Sequence, residues 1–485
     1  MSAVSIVPVI LWTDALIYAL LAAVLALVWA IRRQEHLLAP WRNVAQRPMA
    51  MAAALVLGVF VVIGLLDSLH YRERLPDSPV DAPQYSVEVL SAFDALVGSL
   101  RTQQEKTYSA PLAMQLYAKE FIERDGASVR DYPRLKHGGA HLAHADARLS
   151  DIARRSLVGL AQGLAAGLLL FGLLAGWQAR RTQVHLHLGA WLESWAKGRL
   201  DWPGRTVVGM LALLLMLAGV IVQLAAGYHV LGTDKVGQDV LYISLKSIRT
   251  GLVIGTLTTL VTLPLAIMLG IAAGYFRGWV DDVIQYVYTV LNSIPGVLLI
   301  AAAVLIVQVY IESNPGLFDT AAARADIRLL ALCLIMGVTS WTGLARLLRG
   351  ESLKLRTLDY VEAARAFGVS HARIISRHIF PNVFHLVLIA IVLDFSGLVL
   401  AEAVLSYVGV GVDPTMHSWG NMINGARLEL AREPVVWWQL GAAFAFMFAL
   451  VLAANLFADG VRDAFDPRSR SLRPRLALRK PAAGG

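Results

Sequence analysis

The sequence predicts an all-α polytopic membrane protein, and three observations carry that prediction. Of 485 residues, 57% are hydrophobic and only 16% charged, a balance unlike that of a soluble globular domain. The apolar residues gather into runs close to the ~20 residues that a bilayer-crossing helix needs. Arginine and lysine collect in alternate connections between those runs, as the positive-inside rule requires.

The runs fall at 9–31, 49–66, 157–177, 207–227, 251–273, 284–309, 329–348, 383–405 and 435–457. Backbone groups in lipid must be satisfied within the segment, so each run is read as a helix. An odd number of crossings puts the termini on opposite sides. The basic connections hold Arg32, Arg33, Arg42 and Arg47; Arg180, Arg181, Lys197, Arg199 and Arg205; and Lys354, Arg356, Arg365, Arg373 and Arg377. A basic tail adds Arg462, Arg468, Arg470, Arg473, Arg475, Arg479 and Lys480. All four groups share one side if there are nine crossings, which predicts an external N-terminus and a cytoplasmic C-terminus. The opening MSAVSIVPVILWTD lacks the basic start of a signal peptide, so the first run is read as a retained helix.

The net charge of +8 is dispersed between apolar runs, which argues against a nucleic-acid surface. Cys333 is the only cysteine, so no intrachain disulfide or cysteine-based metal site is available. Residues 67–155 then lie outside as a small extracytoplasmic domain. Pro76, Pro79 and Pro83 break its start, and the stretches 86–104 and 110–126 show helical spacing of apolar residues. His137, His141 and His144, with Asp146, offer metal-ligand chemistry, but Gly138 and Gly139 weaken a helix there. A solvated surface is the preferred reading. The stretch 185–205, with Trp191, Trp195 and Trp202 among basic residues, suits an interfacial amphipathic helix.

The most informative stretch is DYVEAARAFGVSHARIISRHIFPN at 359–382. Residues 361–367 are good helix formers, Gly368 permits a turn, a second short helical run follows, and Pro381 marks entry into the next crossing. The expected product is a pair of short helices protruding from the membrane. Small side chains at Ala363, Ala364 and Ala366 allow close approach by another surface, and Glu362 suits a helix start. The plain alternative is a solvated amphipathic loop.

This stretch resembles the Glu-Ala-Ala loop of permease subunits of binding-protein-dependent ATP-binding-cassette importers. The matching residues are Glu362, Ala363, Ala364, Gly368, Ile379 and Pro381. Asp359, Tyr360, Arg373, Ile374, Ile375, His378 and Asn382 match the branch importing dipeptides, oligopeptides and nickel. HVLGTDKVGQDVL at 229–241, AEAVLSYVGVGVDP at 401–414 and SWGNMI at 418–423 resemble further segments of that branch. Phe380 replaces the usual leucine, and Gln238 the usual arginine. The resemblance spans roughly 207–468 and implies a type I importer permease core (MetI-like) of six transmembrane helices. Three extra helices and the external domain precede it.

The implied organisation is 1–66, two N-terminal helices; 67–155, the external domain; 156–205, a third helix and interfacial segment; 206–468, the permease core with a coupling loop at 350–382; and 469–485, a basic tail. The resemblance also implies the partners: a second permease, two ATP-binding subunits, a periplasmic solute-binding protein and the lipid bilayer, with no nucleic acid. The chain has no G-x-x-x-x-G-K-[ST] string, so ATP and magnesium belong on partner subunits and no cofactor or enzyme activity is expected here.

Asn292, Asp394 and Glu402 are candidate pathway-lining residues. Charges within a bilayer are costly and often mark a route. Glu402 reads equally well as an interfacial residue hydrogen-bonded between helices, Asp394 as facing the bundle, and Asn292 with Ser293 as helix packing. Pro264 and Pro295 should kink their helices. The function implied is alternating-access import of peptides, with nickel or another small solute as the second cargo reading. A membrane sensor is disfavoured by the lack of a sizeable cytoplasmic output domain. An ion-coupled carrier is disfavoured by the lack of paired buried carboxylates in the sequence.

Overall fold

The computed structural model describes residues 6–75, 84–124, 127–181, 203–314, 316 and 320–465. Among them, nine helices are long and apolar enough to cross a membrane. Three belong to the N-terminal extension: α1 (Trp12–Arg32), α3 (Pro48–Asp67) and α6 (Arg148–Arg181). Between the first two lies α2 (Glu35–Ala45), which runs into the packing around Val44, Ala50, Val461 and Ala464. The interfacial segment expected at 185–205 lies almost entirely outside the described residues, as do Pro76, Pro79, Pro83 and the tail 469–485.

The segment 67–155, expected to form the external domain, holds less helix than its apolar spacing suggests. Residues 86–104 give only two five-residue helices, α4 (Ala92–Leu96) and α5 (Gly98–Thr102). Ser91 caps the first and Asp94 reciprocates, a capping box that starts a helix the next residues do not extend. Within the 110–126 stretch, the described residues 110–124 are not helical. They form turns and then strand β4 (Glu120–Arg124), paired antiparallel with β5 (Ala127–Asp131). The missed signal is the Asp125-Gly126 dipeptide between two alternating runs, which favours a hairpin. A second sheet joins β1 (Ile6–Val9), β2 (His70–Glu73) and β3 (Leu90–Ser91), so the strand before α1 and the strand after α3 meet at this end of the molecule.

The core begins with α7 (Gly204–Ala225) and α8 (Val240–Phe276). The crossing expected at 284–309 is broken by Pro295 into α9 (Trp279–Ser293) and α10 (Gly296–Ser313). Proline removes a ladder donor and clashes with the preceding turn, so the helix stops and restarts where a kink was expected. Then follow α11 (Ala321–Ser340), α12 (Thr342–Leu355), the short α13 (Asp359–Ala366) and α14 (His371–Ile374), α15 (Phe380–Val408), α16 (Trp419–Glu429) and α17 (Trp438–Phe465).

Helix α8 is the spine. Its start packs in one buried cluster with the external domain, α16 and α17 through Val240, Leu241, Trp419 and Trp438. Its middle packs on α11 and α15 through Val253, Ile254 and Leu257. Its end joins a third cluster with α12 and the 359–382 segment. The close approach of α8 and α12 depends on Gly270, where an added Cβ would sit 2.6 Å from the Ala345 carbonyl oxygen. Lipid supplies no hydrophobic drive for such contacts, so close packing and interhelical hydrogen bonds must hold them.

Candidate functional site

At the end of the molecule opposite the external domain, α13 and α14 form an exposed elbow. Helix α13 carries Asp359 and Glu362 in its first turn, where carboxylates complement the helix dipole, and Arg365 in its last. It ends at Gly368, which has φ +72, a left-handed conformation that side chains disfavour. Gly368 N–H donates to the Arg365 carbonyl (3.1 Å) and Val369 N–H to the Ala364 carbonyl (3.1 Å), closing the paired bonds of a Schellman cap. The chain turns back into α14, and a π-helical turn over Ile375–Ile379 leads directly into α15, with Pro381 in its first turn.

The elbow has two faces. Val361, Ile374 and Ile379 are buried against Tyr275, Leu344 and Leu348. Glu362, Ala363, Ala366 and Gly368 are exposed, and Phe367 stands 87% exposed at the tip. Ala364 is half-buried beneath them. One polar link ties the elbow itself to the core, and two more bonds lie at its root. The Tyr275 hydroxyl lies 2.8 Å from His371 Nδ1, Arg356 Nη1 donates to the Tyr275 carbonyl (3.1 Å), and Asn382 Nδ2 donates to the His378 carbonyl (2.7 Å). Nearby, Arg349 makes two bonds to Asp281, at 2.6 and 2.7 Å, which hold the Asp281 carboxyl below the usual carboxylate range. The elbow is thus a small, firmly seated surface with an aromatic tip.

The other candidate residues are not brought together. Asn292 is exposed at the end of α9 and accepts from Thr342 Oγ1 at 3.1 Å. Asp394 is half-buried midway along α15. Glu402 is 3% exposed and faces no open surface in this state; Ser406 Oγ donates to it at 2.7 Å, and Ser418 and the Gly420 amide also bond to it. Its place is therefore the interhelical one between α15 and α16. The external histidines do not share a helical face. His141 Nε2 lies 2.7 Å from Asp151 Oδ2, and no metal-holding group of three or more ligands exists among the described residues.

A second charged assembly escaped sequence reading. Asp239 caps α8, its Oδ1 accepting from the amides of Leu241 (2.8 Å) and Tyr242 (3.2 Å), while its Oδ2 lies 2.7 Å from His229 Nδ1. The other imidazole nitrogen lies 3.3 Å from Glu105 of the external domain, whose carboxylate also accepts from the amides of Lys136, His137 and Gly138. Burial disfavours charge on His229, but the hydrogen bonds of Asp239 and Glu105 outweigh it and raise its pKa to about 9. Burial likewise opposes ionisation of Glu105, yet His229 and the three amides bring it down to about 2. The external domain is thereby fastened to the 229–241 segment that opens the core.

A polytopic helical core of nine apolar helices among the described residues, with a firmly seated elbow at one end, is the architecture of a membrane-spanning permease. Comparison with known families agrees: the model for "Binding-protein-dependent transport system inner membrane component" matches residues 266–471. The chain is 34% identical over 245 residues to the glutathione transport system permease protein GsiD of Pectobacterium atrosepticum, covering 50% of this chain and 74% of that protein. It is 31% identical over 245 residues to the oligopeptide transport system permease protein OppC of Mycobacterium bovis (50% and 78%) and 28% identical over 242 residues to the dipeptide transport system permease protein DppC of Bacillus subtilis (50% and 69%). The chain belongs to this family of transport-system inner-membrane permeases.

Proposed function

We propose that this chain forms half of the translocation path of an ATP-driven peptide importer and moves peptides inward by alternating access. The observation that carries the proposal is the elbow: α13 is exposed on its Glu362, Ala363 and Phe367 side and locked to α8 and α12 on the other. Motion of an ATPase groove gripping that exposed side would pass into the helices through Val361, Ile374 and Tyr275, rocking them between inward- and outward-facing states. Peptide cargo rests on the named functions of the glutathione, oligopeptide and dipeptide relatives.

In this reading the elbow faces the cytoplasm, the external domain faces the periplasm, and the C-terminal tail is cytoplasmic. A second permease completes the path, two ATP-binding subunits hydrolyse ATP with magnesium, and a periplasmic binding protein delivers the cargo. The test is purification of the tagged chain from its native membrane, followed by reconstitution in liposomes. ATPase subunits should co-purify, and labelled dipeptide should accumulate only with ATP. Glu362→Ala should weaken ATPase association without reducing membrane insertion. Accumulation driven by a proton or sodium gradient with no ATPase attached would overturn the proposal.

A further inference from the structure

The N-terminal extension and the external domain lie outside the family match at 266–471, yet they supply most of the counterions of the spine helix. Arg249, in the first half of α8 and 5% exposed, lies 2.6 Å from Asp14 Oδ1 and 2.9 Å from Thr13 Oγ1 of α1, and 3.8 Å from Asp326 of α11. Its Nε donates to Ser68 at 3.3 Å. Lys246 lies 2.7 Å from Asp67, at the end of α3, and 2.9 Å from Asp94 of α4. The Tyr242 hydroxyl donates to Asp94 at 2.8 Å. Asp14, in turn, lies 2.7 Å from His70 of β2. Buried charges of this kind are tolerated in a membrane protein only while paired, so this half of α8 cannot leave the extension cheaply.

The last half of α8 is bound to something else. Gly270 and Gly274 bring it against α12, each so close that a Cβ would sit 2.6 Å from a carbonyl oxygen. Ala266, Ile271 and Tyr275 share a buried cluster with Val361, Ile374 and Ile379 of the elbow region.

Between the two halves runs Gly-Thr-Leu-Thr-Thr-Leu-Val-Thr-Leu-Pro, residues 255–264. Pro264 stands inside the helix and cannot donate to the Leu260 carbonyl. Thr256, Thr259 and Thr262 hydroxyls donate back to the carbonyls of Leu252 (2.6 Å), Gly255 (2.6 Å) and Thr258 (2.9 Å). Such back-bonding competes with the helical ladder and favours bending. The spine is thus softest where its two sets of attachments divide.

We propose that the extension is a stator: it holds the first half of α8 still while the elbow swings the second half, and residues 255–264 take up the bend. The proposal rests on the permease reading above. It is tested in the assembled transporter in nanodiscs, with spin-label pairs on a Cys333→Ser background. Leu96→Cys with Val236→Cys reports the external end, and Met49→Cys with Met268→Cys the elbow end; all four positions are exposed.

Between nucleotide-free and vanadate-trapped states, the first distance should stay constant and the second should shift beyond its resting distribution. Pro264→Ala, which restores a ladder donor and favours the helix, should shrink that shift and lower peptide transported per ATP several-fold while ATP turnover persists. Joint movement of both pairs, movement of neither, or a Pro264→Ala protein with the wild-type shift overturns the stator. Failure of the unmutated chain to retain any ATPase overturns the permease reading itself, and the stator with it.

Discussion

His229 stands between two carboxylates, one from the external domain and one from the cap of α8, and is almost wholly buried. Its raised pKa makes stability depend on pH with a definite sign. A group raised from 6.5 to about 9 contributes fully below pH 6.5 and loses that contribution as pH climbs through 9. Glu105, brought from 4.5 to about 2, contributes fully above pH 4.5 and loses it only as pH falls through 2. The apparent melting temperature of the detergent-purified protein should therefore be flat from pH 4.5 to 6.5 and fall toward pH 9. Glu105→Ala should lower it across the plateau, by about 3 kcal/mol of stability, because it leaves a buried charge without one partner. A flat alkaline limb in the wild type would remove His229 as its source. None of this was legible in the sequence: Glu105 and His229 are 124 positions apart, and Asp14 and Arg249 are 235 apart. A charge at the end of an apolar run looks the same whether it meets water, a headgroup or a distant counterion.

At the scale of elements, the sequence spoke most clearly where physics leaves few solutions. Crossing lipid demands about 20 apolar residues, and nine such helices appear among the described residues, the sixth confined to Gly296–Ser313 because Pro295 breaks its run. The elbow was equally legible because good helix formers are followed by a glycine that the turn requires. No atom lies within 4 Å of a Cβ built on Gly368, so only its backbone conformation resists substitution. Gly368→Ala should cost about 1–2 kcal/mol of local strain and leave partial uptake. Gly368→Pro, unable to adopt φ +72, should abolish the Schellman cap and ATP-dependent uptake while membrane insertion persists. Wild-type uptake by that variant would remove the elbow from the transport cycle. The external domain was less legible. Apolar spacing at 110–126 matched a helix, but those side chains instead serve turns and a hairpin, and Met114 and Leu116 are buried under irregular backbone. In so small a domain, tertiary contacts override a short periodic pattern.

At the scale of the whole molecule, the two ends of the bundle differ in kind, and the difference fixes which way the chain should sit. One end carries the external domain, two small sheets and the charged fastening of α8; the other carries the elbow and the Arg47–Asp463 pair that joins the start of α3 to the end of α17. In the proposed orientation the second end faces the cytoplasm, the side that the positive-inside rule favours for its arginine-rich connections. The sequence makes the assignment simple to test. Cys333 is its only cysteine and is fully buried, so an added cysteine dominates labelling. Val236 and Phe367 are both exposed, at opposite ends. A membrane-impermeant maleimide should label Val236→Cys in spheroplasts and spare Phe367→Cys, and the order should reverse in inside-out vesicles. Labelling of Phe367→Cys from the periplasmic side would place the elbow where no cytoplasmic ATPase can reach it. The coupling role of Glu362, the hinge at Pro264 and the direction of transport would then fall together, since each needs force to enter from that end.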